Sequence, residues 1–213
     1  VATDSILIAG AGIGGLTTAL ALARHGFRVN LFDQMERLEE VGAGIQLAPN
    51  ATRILVGLGL ADRLKTRIVE PAAIRLRSGP SGRELAVLPL QAPPAGAGMT
   101  ARYGAPYWVI HRADLHKSLT EAVAEEPGIS LTLGAPVNDF TAVGAGVRAA
   151  VHPHSREWTG EGYDGAILIG ADGLWSRLRA LLGDRAAPRF AGRGAYRAVV
   201  AANELPDHHR EPV

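Results

Sequence analysis

Short apolar runs alternate along the chain with segments of helical periodicity, and this alternation predicts a doubly wound α/β sheet. Residues 5–9 form a continuous apolar run, as a strand buried on both faces of a parallel sheet requires. Over residues 14–25, Leu16, Ala19, Leu20 and Ala23 recur at helical spacing, Arg24 and His25 close the segment, and Gly26 is suited to cap it. A second strand is predicted over residues 28–33, ending on Asp33. Gly42-Ala43-Gly44-Ile45-Gln46 reads as a glycine-rich loop, and Asn50 reads as the cap of a helix carrying Ile54, Leu55 and Leu58.

The pattern changes over residues 72–106, where β-like stretches at 73–77 and 84–88 precede a Pro- and Gly-rich segment at 92–98 expected to be a mobile surface loop. A strand is predicted over 107–110. A helix follows over 113–125, with Leu115, Leu119 and Ala122 or Val123 on one face, ended by Pro127 and Gly128. Three further β-like segments lie at 129–133, 137–143 and 147–151, and the alternation as a whole predicts an antiparallel β insertion in the α/β sheet. An apolar strand at 166–169 then runs into Gly170-Ala171-Asp172-Gly173 and a short helix ending near Gly183.

Composition narrows the chemistry. The 22 Lys and Arg nearly balance the 21 Asp and Glu, so no basic excess points to nucleic acid. The apolar runs are too short to span a bilayer, and a cytoplasmic protein without a membrane partner is expected. With no Cys in the sequence, disulfides, thiolate metal sites and a redox-active dithiol are excluded. The seven His include His152, His154, His208 and His209, but without Cys or a spaced acidic partner they predict no metal site. Trp108, Trp158 and Trp175 form no stacking series with basic residues and are assigned to packing.

Gly10-Ala11-Gly12-Ile13-Gly14-Gly15 fits G-x-G-x-x-G, and it lies between a predicted strand and a predicted helix. In that setting Gly10 permits the tight turn, Gly12 lets the backbone approach a pyrophosphate, and Gly15 lets helix pack on strand. The helix amino terminus offers N–H groups and a positive dipole end to the phosphates. Asp33, eighteen positions after Gly15, is placed to accept from ribose hydroxyls and to repel a 2′-phosphate. These residues leave FAD and NAD both open as ligands, and with them a flavoenzyme, an NAD-dependent dehydrogenase or a non-catalytic dinucleotide-binding module.

Four blocks together resemble the class A FAD-dependent aromatic hydroxylases: residues 10–16, residues 41–50, Tyr103-Gly104-Ala105-Pro106-Tyr107 with His111-Arg112-Ala113-Asp114-Leu115, and residues 170–176. The resemblance covers nearly the whole chain and is greatest to the branch containing salicylate hydroxylase, 3-hydroxybenzoate 6-hydroxylase and 6-hydroxynicotinate 3-monooxygenase. It implies a Rossmann-like FAD-binding domain over 1–184, with 72–106 an insertion contributing to a substrate layer and 185–213 the start of a substrate domain. It further implies that a second Gly-Asp motif of the family lies beyond Val213, so that this chain corresponds to the amino-terminal, FAD-binding part of an enzyme.

By the same resemblance, FAD is held by Gly10, Gly12, Gly14, Gly15, Asp33, Gly44, Arg112, Val137 and Asp172. Asp33 stands where the family usually has Glu. The Arg112 fork of donors suits a phosphate or flavin-side-chain oxygen better than Lys would, although a surface cation is the plainer alternative. Asp172-Gly173 matches a motif linked to FAD and pyridine-nucleotide binding, and equally reads as a turn or helix cap. The Val137 backbone corresponds to a position facing adenine, while its side chain reads as core. Gln46 is the candidate to hydrogen-bond substrate or oxygenated flavin, with loop support as the alternative. Arg197, on a β-like run, is the candidate for a substrate carboxylate or for orienting flavin, with a structural ion pair as the alternative. The implied reaction is hydroxylation of a phenolic or heteroaromatic carboxylate through a flavin hydroperoxide. NADH or NADPH is the reductant, oxygen and a small aromatic are the partners, and a homodimer is a compatible assembly.

Overall fold

The computed structural model describes residues 5–38, 42–91, 98–151, 162–197 and 200–206. In chain order the elements begin with β1 (Ser5–Ala9), α1 (Ile13–Arg24), β2 (Arg28–Phe32), β3 (Gly44–Leu47), α2 (Pro49–Gly57), α3 (Ala61–Leu64), β4 (Ile68–Val69), β5 (Ala73–Arg77) and β6 (Glu84–Pro89). They continue with α4 (Met99–Tyr103), β7 (Trp108–His111), α5 (Arg112–Ala124), β8 (Ile129–Thr132), β9 (Val137–Val143), β10 (Gly146–Val151), β11 (Tyr163–Gly165), β12 (Ile167–Gly170) and α6 (Arg177–Leu181). Two compact units result, one of Val1–Glu40 with His116–Gly194, the other of Val41–Leu115 with Ala195–Val213. The boundary at 115/116 falls inside α5.

The first unit is built on a parallel sheet of order β12-β1-β2-β8. Its central strand is apolar because both faces are covered: Ile6, Leu7, Ile8 and Ala9 are all buried. Leu7 faces Leu168 of β12 in register, and Ile8 faces Leu31 of β2. Leu7 and Phe32 form a buried cluster with Ala135, Ala149 and Val151, against which Val137, Val147 and Leu168 pack. The antiparallel sheet β11-β10-β9 contributes Ala149, Val151, Val137 and Val147 to that cluster. Helix α1 buries Gly15, Leu16, Ala19 and Leu20 and ends at Arg24, and the chain turns away at Gly26, whose φ of 84° favours a residue without Cβ.

The second unit contains the antiparallel sheet β3-β7-β4 and the hairpin β5-β6. Helix α2 is held by the hydroxyl of the buried Thr52, which donates to the Pro106 carbonyl at 2.6 Å. Trp108 is buried and its indole N–H donates to Glu70 Oε1 at 3.1 Å, which confirms packing for this residue and satisfies its polar atom.

Several sequence expectations are corrected. The segment around Gly44 is strand β3 from Gly44 onward, because antiparallel pairing with β7 satisfies its backbone. Asn50 lies inside α2, since Pro49 occupies the first turn and Ala48 is the N-cap without a side-chain bond. Of the three β-like segments, β8 joins the parallel sheet beside β2, while β9 and β10 pair antiparallel with each other. Trp175 is 78% exposed in the turn before α6, so it is not a packing residue within this unit. Residues 195–197 carry no regular structure where a β-like run was expected. The loop at 92–97, Trp158 and the pairs His152/His154 and His208/His209 lie outside the described residues. Among the described residues, no cluster suited to a metal ion occurs, and no helix is long and apolar enough to cross a membrane.

Leu7 has no solvent exposure at the centre of the first unit's core. Leu7→Ala is expected to lower stability by about 2–5 kcal/mol through lost burial and a residual cavity, measured by urea denaturation.

Candidate functional site

In the first unit the chain runs β1, β2, β8 in one direction and then returns to place β12 on the other side of β1. A strand order that reverses in this way leaves a crevice at the carboxyl ends of β1 and β12. The glycine turn after β1 lies there, next to the Ala171-Asp172 turn after β12: a Cβ on Gly10 would stand 2.3 Å from the Ala171 carbonyl oxygen. Gly10 also has a φ of 104°, so both its conformation and its surroundings require glycine. Gly15 is as constrained, since a Cβ there would stand 1.8 Å from the Gly10 carbonyl oxygen.

Gly12 and Gly14 are different. Nothing lies within 4 Å of a Cβ built on either, so the protein's own packing does not require glycine at these positions. Gly12 is the N-cap of α1 and has no side chain to satisfy the first-turn N–H groups, and no acidic residue stands in that turn. First-turn N–H groups without intrahelical partners at the positive end of a twelve-residue helix, with open space beside Gly12 and Gly14, fit a diphosphate. The cradle therefore suits a dinucleotide.

Two side chains hold this turn. Asp33 Oδ2 accepts from the Ala11 N–H at 2.6 Å, and its Oδ1 accepts from the Met35 N–H at 2.8 Å. Asp33 thus closes an Asx-turn on its own loop while gripping the glycine turn, and each carboxylate oxygen retains a lone pair for a further donor. On the other side, the Ala11 carbonyl oxygen lies 2.9 Å from Nε2 of the buried His116 on α5. His116 was not identified from the sequence. Its only signal was a histidine on a predicted helix, four residues after Arg112.

Asp172 follows β12, and its carboxylate is a helix cap. Its Oδ1 accepts from the Ser176 hydroxyl at 2.7 Å and its Oδ2 from the Leu178 N–H at 3.1 Å, with Gly173 at a φ of 80° completing the turn. The Val137 side chain is half-buried against the core cluster, and its backbone pairs with Val151.

In the second unit Gly44 and Gln46 alternate with Ile45 and Leu47 along β3, so the glycine and the amide share the exposed side of the strand. Arg112 opens α5, its N–H donates to the Ala43 carbonyl at 3.2 Å, and its aliphatic stem lies over Gly42. The structure thus brings Arg112 and the segment 42–44 together within the second unit. Arg197 is exposed.

Strand, glycine turn, helix and strand-end acid define a dinucleotide-binding unit of the Rossmann type. Within that class the chain belongs to the FAD binding domain family, which matches it over residues 3–208, and the bound dinucleotide is FAD.

The chain is 38% identical over 207 residues to 3-hydroxybenzoate 6-hydroxylase 1 of Aquipseudomonas alcaligenes, covering 97% of this chain and 50% of the relative. It is 40% identical over 208 residues to 3-amino-4-hydroxybenzoate 2-monooxygenase PtnB3 of Streptomyces platensis, covering 97% and 48%. It is 35% identical over 194 residues to 6-hydroxynicotinate 3-monooxygenase of Bordetella bronchiseptica, covering 91% and 47%. Among solved structures, the tetrameric form of 2-methyl-3-hydroxypyridine-5-carboxylic acid oxygenase matches with a TM-score of 0.68 and 25% identity, over 85% of this chain and 42% of that one. The flavin-dependent monooxygenase PieE, in complex with FAD and substrate, matches with a TM-score of 0.68 and 28% identity, over 84% and 32%. The chain spans about half the length of the curated relatives it matches.

The two kinds of glycine should separate on substitution. Gly15→Ala is expected to destabilise the flavin-free protein by about 1–3 kcal/mol or more, because helix and strand must move apart. Gly12→Ala, at a φ of −70° open to any residue, should cost less than about 1 kcal/mol as a cap change but weaken FAD binding. Urea denaturation paired with flavin-fluorescence titration reads both, and equal effects of the two changes on stability would contradict the distinction.

Proposed function

We propose that the protein of which this chain forms the FAD-binding part is an NADH- or NADPH-consuming monooxygenase that hydroxylates a phenolic or heteroaromatic carboxylate. The observation that carries the proposal is the open cradle at Gly12 and Gly14 on a turn held by Asp33, in a chain 35–40% identical to a hydroxylase and two monooxygenases named for hydroxybenzoate or hydroxynicotinate substrates. FAD, once reduced by the nicotinamide dinucleotide, supplies the activation of oxygen that no amino-acid side chain offers. The requirement for a nicotinamide reductant makes the cytoplasm the proposed compartment, and a homodimer is the proposed assembly.

The residues then divide the work. Gly10 and Gly15 keep α1 against β1, and the N–H groups from Gly12 through Gly14 receive the diphosphate. Asp33 offers its remaining lone pairs to ribose hydroxyls, and the Val137 backbone borders adenine. Arg112 directs its guanidinium to an oxygen of the cofactor, and Asp172 positions the turn after β12. Gly44 leaves room beside the flavin ring. Gln46, on the same side of β3, hydrogen-bonds substrate, and Arg197 binds the substrate carboxylate. In that division the insertion at 72–106 contributes to the substrate layer and 185–213 opens the substrate domain. The remaining task of the protein is to align the ring and exclude water.

The test is to supply the full-length protein with FAD, NADH or NADPH, and 3-hydroxybenzoate, salicylate or 6-hydroxynicotinate, and to measure hydroxylated product against hydrogen peroxide. Product formed in step with reductant consumption is expected from at least one phenolic or heteroaromatic carboxylate. Reductant consumption unaffected by every such acid would overturn the proposal.

Asp33→Ala removes the acceptor for ribose and for the Ala11 N–H together. FAD affinity is expected to fall by about 1–3 kcal/mol, read by titration of the full-length variant, and an unchanged affinity would remove Asp33 from the site.

A further inference from the structure

The Ala11 peptide groups are oriented from two sides. In the Gly10–Ala11 peptide the carbonyl faces Gly15 and the N–H faces Asp33. In the next peptide, Ala11–Gly12, the carbonyl oxygen meets His116 Nε2 at 2.9 Å. A trans peptide directs its C=O and N–H oppositely, so fixing the Ala11 carbonyl on His116 turns the Gly12 N–H to the other side. None of the described residues accepts from that N–H.

Helix α1 does not supply the carbonyl's partner. Its hydrogen-bond ladder begins one residue later, where the Leu16 N–H donates to the Gly12 carbonyl at 3.0 Å. Ala11 itself has no solvent exposure, so without His116 its carbonyl would lack water as well. A carbonyl oxygen only accepts, so in this bond Nε2 carries a proton and donates it. His116 is buried to 3% exposure on a helix that also buries Leu115, Ser118 and Leu119, and its imidazole is the group that reaches the Ala11 carbonyl. An aliphatic side chain there would fill space but could not orient the turn.

We propose that His116 is a positioning residue for the cofactor: by donating from Nε2 to the Ala11 carbonyl, it aims the Gly12 N–H at the dinucleotide diphosphate. The inference rests on FAD being the ligand of this turn. Asp33 and His116 then act as opposed clamps on two successive peptides, one through an N–H and the other through a carbonyl. Neither has to touch the phosphates.

The experiment uses the full-length protein and three substitutions. His116→Gln places an amide N–H near the position of Nε2, His116→Leu keeps bulk without a donor, and His116→Asn carries an amide too short to reach. FAD affinity is measured by titration and the stability of the flavin-free form by urea denaturation. The expected result is near-wild-type affinity for Gln and a loss of about tenfold or more for Leu and Asn, the scale of one oriented hydrogen bond. A purely structural role would lower stability in all three while leaving the affinity of the folded protein unchanged, and that outcome overturns the proposal. Equal losses for Gln and Leu overturn it too.

Nitrogen-15 shifts of His116 in the unsubstituted protein give a test independent of folding: a protonated Nε2 is expected, and a bare Nε2 excludes the bond. Absence of FAD binding by the unsubstituted protein would instead strike at the cofactor assignment on which the inference rests.

Discussion

The close approach of α1 to the end of β1 governs the first unit. With 1.8 Å between a notional Gly15 Cβ and the Gly10 carbonyl oxygen, the helix begins where it does only because both positions lack a side chain. That approach sets the direction of the helix amino terminus, and so the place where four backbone N–H groups lack intrahelical partners. It also turns the Gly10–Ala11 peptide so that its N–H meets Asp33 at the end of the neighbouring strand. Sheet, helix and acid are therefore one mechanical assembly. The strand order β12-β1-β2-β8 puts that assembly beside the crevice where order reverses.

The aspartate at the end of β2 acquires a reason from this geometry. The aromatic hydroxylases that the sequence resembles usually carry a glutamate there. The shorter Asp33 closes an Asx-turn onto Met35 while reaching the Ala11 N–H at 2.6 Å, so one carboxylate shapes the loop after β2 and braces the glycine turn. A side chain one methylene longer is less suited to the local two-residue closure. Support for the turn and the ribose contact proposed for Asp33 then depend on the same two oxygens.

The second unit is organised by antiparallel pairing instead. The register Gly44 with His111 and Gln46 with Val109 makes β3 a strand and sends Gly44 and Gln46 to the same side. Arg112 follows β7 directly, and its stem lies beside Gly42. Buried polar groups reinforce this frame: Thr52 donates to Pro106 and Trp108 to Glu70, tying helix α2 and strand β7 to the segments beside them.

Much of this was legible in the chain itself. The apolar run of β1, the glycine spacing and the helical face of α1 each report a local requirement: burial on two faces, a turn without Cβ, or a stripe facing the sheet. Asp33 could be located from its distance to the glycines. The strand character of Gly44–Leu47 was hidden because it depends on β7, more than sixty residues away, and a glycine-rich segment gives no local sign of a distant partner. The same holds for β8, whose place beside β2 in the parallel sheet is decided by register with Val29 and Leu31. His116 is the strongest case. A histidine on a helix has no sequence signature for the carbonyl it will meet, and its partner Ala11 lies 105 positions earlier. Local backbone chemistry thus determined the turn, the ligand class and the place of Asp33, whereas the partners that Asp33 and His116 find on that turn were decided by tertiary packing, which alone brings distant polar groups within hydrogen-bond range.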